Sequence, residues 1–221
     1  MLLTVDTSTA QVGVAIYDGA QVLGEYIWRS RQHHTVELAP AIAELLARCG
    51  LSMDGMRAVG VALGPGSFTS LRVGLSLVKG LALACDLPLI GIPTLDIYAA
   101  GQPPSDLPLL TAIQAGRSRL ALGWYQSSGN GWQAQGPARV ASIDALMEEI
   151  KAPTLVCGEF NAGERERLAK QVNVRLASPA QSVRRPALLA ELAWARWQRG
   201  DVDEEASLAP LYLHTTESNV P

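Results

Sequence analysis

A strand, a rigid turn and a helix are encoded around the segment Gly64-Pro65-Gly66-Ser67-Phe68-Thr69-Ser70-Leu71-Arg72-Val73-Gly74. The apolar run 59–63 precedes this segment, and a mostly apolar run follows it to Cys85. Two glycines around a proline favour a tight backbone turn. Ser67 and Thr69 are residue types that accept the free N–H groups of a first helical turn. The segment therefore predicts a strand that ends in a turn, followed by a capped helix.

The turn has two interpretations that the local sequence leaves open. A helix N-terminus after a glycine-rich turn can hold a phosphate group. The Gly-Lys-Ser/Thr ending of a P-loop is missing, however, and glycine–proline turns often do no more than connect two elements. A structural turn is therefore the more common explanation for this segment taken alone.

The helix after the turn is apolar on almost all sides. From Leu71 to Ala84 its polar residues are Arg72, Ser76 and Lys79, which share one stripe of the helix. A helix of this kind is buried on more than one side. One side can pack on its own sheet, and the opposite side then needs another domain or another chain. This helix is the first indication that the protein works by docking.

Composition excludes several classes of protein. The 221 residues are 48% hydrophobic and 18% charged with a net charge of −3, which argues against a large nucleic-acid surface. No apolar run reaches the roughly 18–20 residues of a membrane span, and the start lacks the basic region of a signal peptide. The three cysteines form neither a disulfide framework nor a zinc pattern. We therefore expect a cytoplasmic protein with reduced thiols and no membrane partner.

The chain repeats one order of elements on either side of a predicted linker at residues 101–106. Each half predicts strand, strand, strand, helix, strand, helix, strand, helix. This order resembles the duplicated lobes of the actin-like ATPase fold, in which two lobes flank a nucleotide cleft. We therefore predict an α/β protein with a duplicated, two-lobed actin-like (ASKHA, ribonuclease H-like) fold. The N-terminal lobe, which would dock the partner, comprises residues 1–103, and the C-terminal lobe comprises residues 104–221.

Several segments together resemble the TsaB (YeaZ) family of tRNA-modification proteins. They are Val5-Asp6-Thr7-Ser8-Thr9, residues 34–46, residues 64–74 and residues 208–213. The resemblance covers essentially the whole chain and is strongest in the first half. Two positions depart from the family pattern. Ser70 stands where the turn usually has a glycine, and residues 114–117 read Gln-Ala-Gly-Arg where an Asp-Ala-Arg-like segment is usual.

The resemblance implies a pseudo-enzyme that acts through its partners. TsaB proteins pair with a related catalytic subunit, TsaD, and with an ATPase, TsaE, and together they place a threonylcarbamoyl group on the adenosine beside the tRNA anticodon. On this basis the chain is a non-catalytic scaffold and activator that docks TsaD-like and TsaE-like subunits and forms a homodimer when alone. It would meet tRNA only through the complex. It would hold no tightly bound cofactor, with ATP or ADP only at the interface of the assembled complex.

A carboxylate and three hydroxyls at the end of the first strand are the candidate site for a phosphate or Mg²⁺. They are Asp6, Thr7, Ser8 and Thr9, and a capped strand-end turn is the alternative interpretation. If the two halves align, the counterpart of Asp6 is Gln114, whose neutral amide cannot balance a divalent cation. One carboxylate without its partner is a poor centre for phosphoryl transfer. The four residues fit a remnant of a nucleotide site, and an ATP-dependent small-molecule kinase of the same fold is the alternative function.

Histidine and arginine side chains are weaker candidates for a metal site and a tRNA contact. His33, His34 and His214 lack the spacing of a metal site, so a metallopeptidase is disfavoured, and the first two are predicted to be polar loop residues. Four arginines near the C-terminus predict a solvated helix face, with a minor tRNA contact as the alternative. They are Arg184, Arg185, Arg196 and Arg199.

The predicted docking surface combines the helix 36–49 with the helix 70–85. Both helices contain few charged residues, and two such helices from each partner would make a four-helix interface. An apolar face without its partner also favours self-association. The predicted contact residues are Val36, Ala39, Ile42, Ala43, Leu46, Leu71, Leu75, Val78, Lys79 and Ala82.

Overall fold

The computed structural model describes residues 1–31, 34–116, 119–129 and 131–213, which form two mixed β-sheets with helices against them. The elements of the first sheet region are β1 (Leu2–Asp6), β2 (Gln11–Tyr17), β3 (Val22–Arg29), α1 (His34–Arg48), β4 (Ala58–Gly64), α2 (Phe68–Cys85), β5 (Leu89–Pro93) and α3 (Thr94–Ala100). The strand order is β3-β2-β1-β4-β5. β2 is antiparallel to β1 and β3, whereas β4 is parallel to β1 and β5. The central strands β1 and β4 are apolar runs because both faces of the sheet are covered.

The second sheet repeats this arrangement. Its elements are β6 (Leu109–Gln114), β7 (Leu120–Ser127), β8 (Trp132–Ala134), β9 (Arg139–Ala141), α4 (Ile143–Glu149), β10 (Thr154–Gly158), α5 (Ala162–Ala169), β11 (Val174–Leu176) and α6 (Pro186–Gln198). The strand order is β11-β10-β6-β7-β8, and β9 also pairs with β7. β6 is antiparallel to β7 and parallel to β10, just as β1 is antiparallel to β2 and parallel to β4. The repeated order of elements is therefore confirmed.

One predicted strand is divided in two. The sequence predicts a single strand over 132–140, but the structure has β8 and β9, which pair with opposite ends of β7. The interruption contains Gly136-Pro137. Proline has no backbone N–H for a ladder, and glycine adapts to a change of direction, so the chain leaves the sheet edge at this point.

Each half gives a helix to the core of the other half. α6 buries Leu189, Ala190 and Ala193 in a cluster with Leu2 and Ile90 of the first sheet. Conversely, α3 buries side chains in a cluster with strands of the second sheet; they are Leu95, Tyr98 and Ala99, packed with Leu109, Ile113, Ala121 and Tyr125. The predicted boundary between residues 103 and 104 falls in the connection between the sheets, and the division into lobes at that residue stays a prediction.

Helix α2 begins after the glycine turn and ends at Cys85, as predicted. Its 18 residues have a mean hydropathy of 1.4, which by length and composition alone would suffice to cross a membrane, so the expectation that no apolar segment reaches this length is wrong. Its inward face packs instead in the core of the first sheet, through Leu75, Val78 and Ala82. Helix α1 begins at His34, so Thr35 lies inside the helix.

Candidate functional site

The first strand ends in a buried polar turn. Asp6 closes β1 and residues 7–9 lead to β2, and each of these four residues is at most 6% exposed. The backbone N–H of Ser8 donates to Asp6 Oδ1 at 2.8 Å. The Thr7 hydroxyl donates to the carbonyl oxygen of Ser70 at 2.7 Å. The polar groups of the turn are therefore bonded to the protein itself, as the capped-turn interpretation expects.

The glycine turn between β4 and α2 packs directly against this polar turn. A Cβ atom at Gly66 would lie 2.2 Å from the carbonyl oxygen of Ser8, and one at Gly74 would lie 2.2 Å from Thr7 Oγ1. The backbone N–H of Ser67 donates to the same Ser8 carbonyl oxygen at 2.7 Å. The two glycines are therefore explained by the close approach of two chain segments.

Ser67 caps α2, as predicted, by accepting the backbone N–H of Ser70 at 3.4 Å. The Ser70 hydroxyl also lies 3.0 Å from Ser67 Oγ, so the departure from the family pattern adds to the cap. Thr69 lies within the first helical turn, so the prediction that it could be the N-cap is wrong. Gly64 has a φ of +105° and donates its N–H to Thr94 Oγ1 at 2.9 Å, which ties the turn to the start of α3.

Arg184 fills the space beside Asp6. Its side chain is fully buried, and its Nε donates to Asp6 Oδ2. Nη1 donates to Tyr98 Oη at 3.1 Å, and Nη2 donates to the carbonyl oxygen of Gln11 at 3.0 Å. Glu159 follows β10 of the second sheet, and its Oε2 lies 3.9 Å from Nη1. The chain itself thus supplies the cation that faces the candidate metal-binding carboxylate.

The electrostatics favour a permanent ion pair at this point. Burial is the largest single influence on the pKa of Arg184 and lowers it, but the charge and hydrogen bond of Asp6, together with the other groups around the guanidinium, outweigh burial and raise this pKa overall. Burial raises the pKa of Tyr98, so its hydroxyl stays neutral beside the guanidinium. A buried pair of this kind is retained where further hydrogen bonds satisfy both charges, as Thr9 Oγ1 does at 3.3 Å from Nη2.

The prediction that Arg184 belongs to a solvated helix face is wrong, because Arg184 precedes α6 and lies buried where residues of both sheets meet. Its neighbour Arg185 is exposed and pairs with Glu25 at 2.5 Å. Arg196 pairs with Asp201 and with Asp203, at 2.7 and 3.0 Å. Arg199 is exposed. No local pattern separates Arg184 from Arg185; only the folded chain shows which of the two is buried.

Gln114 is the topological counterpart of Asp6, as predicted. It ends β6, which occupies in the second sheet the place of β1 in the first. Its Nε2 donates to Glu164 Oε2 at 2.9 Å, and the same carboxylate closes the capping box of α5 with Asn161. The amide therefore has a structural partner, and the second half offers no carboxylate at this position. Arg117, in the same segment, lies outside the described residues.

Histidine and acidic side chains do not converge on a metal-binding arrangement within the described ranges. The prediction that His34 is a polar loop residue is wrong. His34 begins α1 and is buried, with Nε2 3.1 Å from the carbonyl oxygen of Thr9. The His34 ring at the start of α1 therefore contacts the polar turn at Thr9. His33 and His214 lie outside the described residues.

The predicted docking residues divide between the core and the surface. Those in the core are Ile42, Leu46, Leu71, Leu75, Val78 and Ala82, each at most 8% exposed. Their prediction as surface contacts is wrong, because they form the inward faces of α1 and α2 against the first sheet. Those that reach solvent are Val36, Ala39 and Ala43, and Lys79 is half-buried.

An open groove of about 480 Å³ runs between the outward faces of α1 and α2. Val36 on α1 is 66% exposed, and Phe68 and Leu83, at opposite ends of α2, are 54% and 74% exposed. At one end of the groove the Arg72 guanidinium stacks 3.6 Å from the centre of the Phe68 ring and donates to Tyr212 Oη at 2.8 Å. The sequence prediction included Val36 in the docking surface but missed Phe68 and Leu83, because the almost uniform apolarity of α2 concealed which of its residues face outward.

Residues 21–187 match the protein family described as TsaD, tRNA N6-adenosine threonylcarbamoyltransferase. The chain is 28% identical over 222 residues to the tRNA threonylcarbamoyladenosine biosynthesis protein TsaB of Bacillus subtilis, with 98% of this chain and 95% of that protein covered. It is 30% identical over 153 residues to TsaB of Escherichia coli, with 68% of this chain and 66% of that protein covered.

Solved structures share the fold. YeaZ from Pseudomonas aeruginosa superposes with a TM-score of 0.78 at 25% identity, over 96% of this chain and 99% of that one. A Bacteroides thetaiotaomicron protein described as having an actin-like ATPase fold superposes with a TM-score of 0.50 at 10% identity, over 87% and 95%. These likenesses confirm the predicted two-lobed α/β actin-like fold. With the matched family spanning most of its length and TsaB and YeaZ proteins among its relatives, the chain belongs to the TsaD family, in its TsaB (YeaZ) branch.

Proposed function

We propose that this protein is a non-catalytic subunit of the assembly that makes threonylcarbamoyladenosine beside the tRNA anticodon. Its family membership supports the reaction, because the TsaB relatives are named for this biosynthesis. In this role it docks a TsaD-like catalytic subunit and a TsaE-like ATPase, and it acts in the cytoplasm. It contacts tRNA only through the complex, and it pairs with itself when its partner is absent.

The buried Arg184–Asp6 pair is the observation that carries the non-catalytic role. Mg²⁺ bound to a nucleotide needs carboxylate or water oxygens around it, and here the carboxylate oxygens of Asp6 accept from Arg184 and from the Ser8 backbone. The equivalent position of the second sheet holds the amide of Gln114. A divalent cation at Asp6 would therefore have to displace a fully buried guanidinium. Any ATP or ADP is accordingly proposed to bind at a junction with another subunit.

The groove between α1 and α2 is the proposed docking surface for the TsaD-like partner. Phe68 lines the groove, and Val36 and Leu83 are further exposed apolar residues on the same two helices. Surface of this kind is typical of a protein-binding face. The partner is proposed to be TsaD-like because two related chains can each present the same pair of helices, which makes a four-helix interface.

Depletion of the protein in its own cell, followed by mass analysis of tRNA nucleosides, tests the proposed function. We expect threonylcarbamoyladenosine to fall and to return when the wild-type protein is supplied. Unchanged threonylcarbamoyladenosine after complete depletion would overturn the proposal. Purification of the tagged protein should recover the TsaD-like subunit in the same experiment.

The ATP-dependent small-molecule kinase is the less supported alternative, suggested by Asp6 and its neighbouring hydroxyls. Calorimetry with Mg-ATP on the isolated chain separates the two functions. We expect no binding by the wild-type chain, because Arg184 occupies the carboxylate. Micromolar binding with slow hydrolysis would favour the kinase.

A further inference from the structure

A second cavity, away from Asp6, lies between the start of α3, strand β7 and the C-terminal segment 210–213. Its volume is about 550 Å³, which is within the range of small-molecule sites. Its walls are mainly apolar and include the rings of Pro65, Pro93, Pro137 and Pro210. Proline rings and the Tyr125 ring give it rigid, flat surfaces. The cavity therefore has the size and the lining that suit a compact, largely apolar molecule.

One carboxylate interrupts this apolar lining. Asp96 of α3 accepts a hydrogen bond from Tyr125 Oη at 2.6 Å, and both residues line the cavity. In the part of the chain that the structure describes, no Lys, Arg or His side chain forms an ion pair with Asp96. Burial raises the pKa of the Asp96 carboxyl, as expected for a carboxylate that lacks a cation. The carboxylate is thus the one charged group on the described walls of the cavity, and its charge is not balanced.

The C-terminal wall of the cavity is held in place by the first half of the chain. The backbone N–H of Leu211 donates to the carbonyl oxygen of Leu63 at 2.8 Å. Tyr212 accepts from Arg72 and its ring lies 5.0 Å from the Phe68 ring. The cavity is therefore preformed, which reduces the entropic cost of binding a ligand.

We propose that this cavity binds a small organic cation, with its apolar body among the proline rings and its protonated nitrogen against the Asp96 carboxylate. A neutral molecule of the same shape would leave the charge of the carboxylate uncompensated, and an anion would be repelled by it. The Tyr125 hydroxyl holds the carboxylate in position through its hydrogen bond. This site goes beyond the proposed role in the tRNA-modifying assembly and does not depend on it.

Matched fragments test the proposal on the full chain by ligand-detected NMR and calorimetry. The cations are benzylamine and tyramine, the neutral counterparts are benzyl alcohol and tyrosol, and the anions are benzoate and 4-hydroxyphenylacetate. We expect each amine to bind at least about tenfold more tightly than its neutral counterpart, as a charge-assisted hydrogen bond provides, and the anions not to bind. Asp96→Asn should remove the preference for the amines, because the asparagine keeps an acceptor for Tyr125 but has no charge.

Three results would overturn the proposal. The first is that neither amine binds the wild-type chain. The second is that the neutral counterparts bind as tightly as the amines, and the third is that the Asp96→Asn variant still prefers the amines. Val172→Asp is the control variant, because it changes an exposed residue outside the cavity and should bind the amines like the wild type. The tRNA nucleoside analysis after depletion is a separate readout, so failure of one proposal leaves the other standing.

Discussion

Arg184 and Asp6 are 178 residues apart in sequence, yet they form a buried ion pair where residues from the two sheets meet. The carboxylate belongs to the end of the first strand, and the guanidinium belongs to the segment before the last helix. The pair connects the first and last parts of the fold, and it neutralises the residue that a magnesium site would need. Removing the Arg184 side chain should therefore lower the stability of the fold.

Arg184→Ala should lower the free energy of unfolding by about 3–5 kcal/mol, because it leaves the Asp6 charge buried without a partner. Urea unfolding followed by circular dichroism measures the change. Arg185→Ala is the matched control: the Arg185 side chain is 55% exposed, and Glu25, which is 14% exposed, keeps the backbone N–H of Ala187 as a donor, so this substitution should cost about 1 kcal/mol. Equal effects of the two substitutions would contradict the assigned role of Arg184.

Gly74→Ala and Gly80→Ala should have opposite effects on stability, although both replace a glycine inside α2. A Cβ at position 74 meets Thr7 Oγ1, so this change should destabilise the protein by about 1–3 kcal/mol. A Cβ at position 80 has nothing within 4 Å, so the better helix propensity of alanine should stabilise by about 0.5–1 kcal/mol. Thermal and urea unfolding measure both. Adding Thr7→Ala to Gly74→Ala should recover part of the loss, and no recovery would contradict the close contact.

Val36→Asp should abolish copurification with the TsaD-like partner while the protein remains folded. Val36 is 66% exposed on α1, one of the two helices that form the proposed docking groove, so a carboxylate there would meet the partner's apolar surface rather than this chain's core. Val172→Asp, at a valine that is 95% exposed between α5 and β11, is the matched control and should copurify normally. Normal copurification of the Val36 variant would move the docking surface elsewhere.

Leu75→Asp should unfold the protein instead of producing a folded, binding-deficient chain. Leu75 is 6% exposed and packs in the core of the first sheet, so the substitution buries an unpaired charge. Loss of the native circular dichroism signal and recovery in the insoluble fraction are the expected observations. A folded, soluble Leu75→Asp protein would mean that the inward face of α2 is more accessible than its burial indicates.

Asp96→Asn should stabilise the protein increasingly as the pH rises. Burial raises the pKa of Asp96 in the folded protein above its ordinary value of 3.8, so the folded state holds the proton more tightly than the unfolded state. The wild type therefore loses stability as the pH rises from that ordinary value through the folded-state pKa. Asparagine does not titrate, so the difference in unfolding free energy between variant and wild type should grow over this window. A pH-independent difference would contradict the prediction.

Local patterns in the sequence were sufficient for the order of elements and for the glycine turn. Alternating and continuous apolar runs mark the strands, and Ser67 marks the start of α2, because these features depend on the backbone and on neighbouring residues. The equivalence of Asp6 and Gln114 also followed from the repeated order. The two-lobed actin-like fold could therefore be predicted before any contact was known.

The orientation of side chains could not be predicted in the same way. α2 is apolar on nearly all sides, so its sequence does not indicate which stripe faces the sheet, and the predicted docking residues were mostly core residues. Two adjacent arginines, Arg184 and Arg185, have the same local pattern but opposite environments. Contacts between residues far apart in sequence decide which side chains are buried, and a short sequence pattern does not contain that information.

The sequence by itself determined the elements and their duplication, because these depend on residue types at fixed local spacing, and its motifs resemble those of the TsaB (YeaZ) family. Only the tertiary structure decided that Asp6 is neutralised by Arg184, that α3 and α6 each pack in the core of the opposite half, and that Asp96 lines a cavity whose described walls carry no cationic side chain. The physical reason is the same in each case. Burial and charge pairing depend on which distant segments meet, and that is fixed only when the chain has folded.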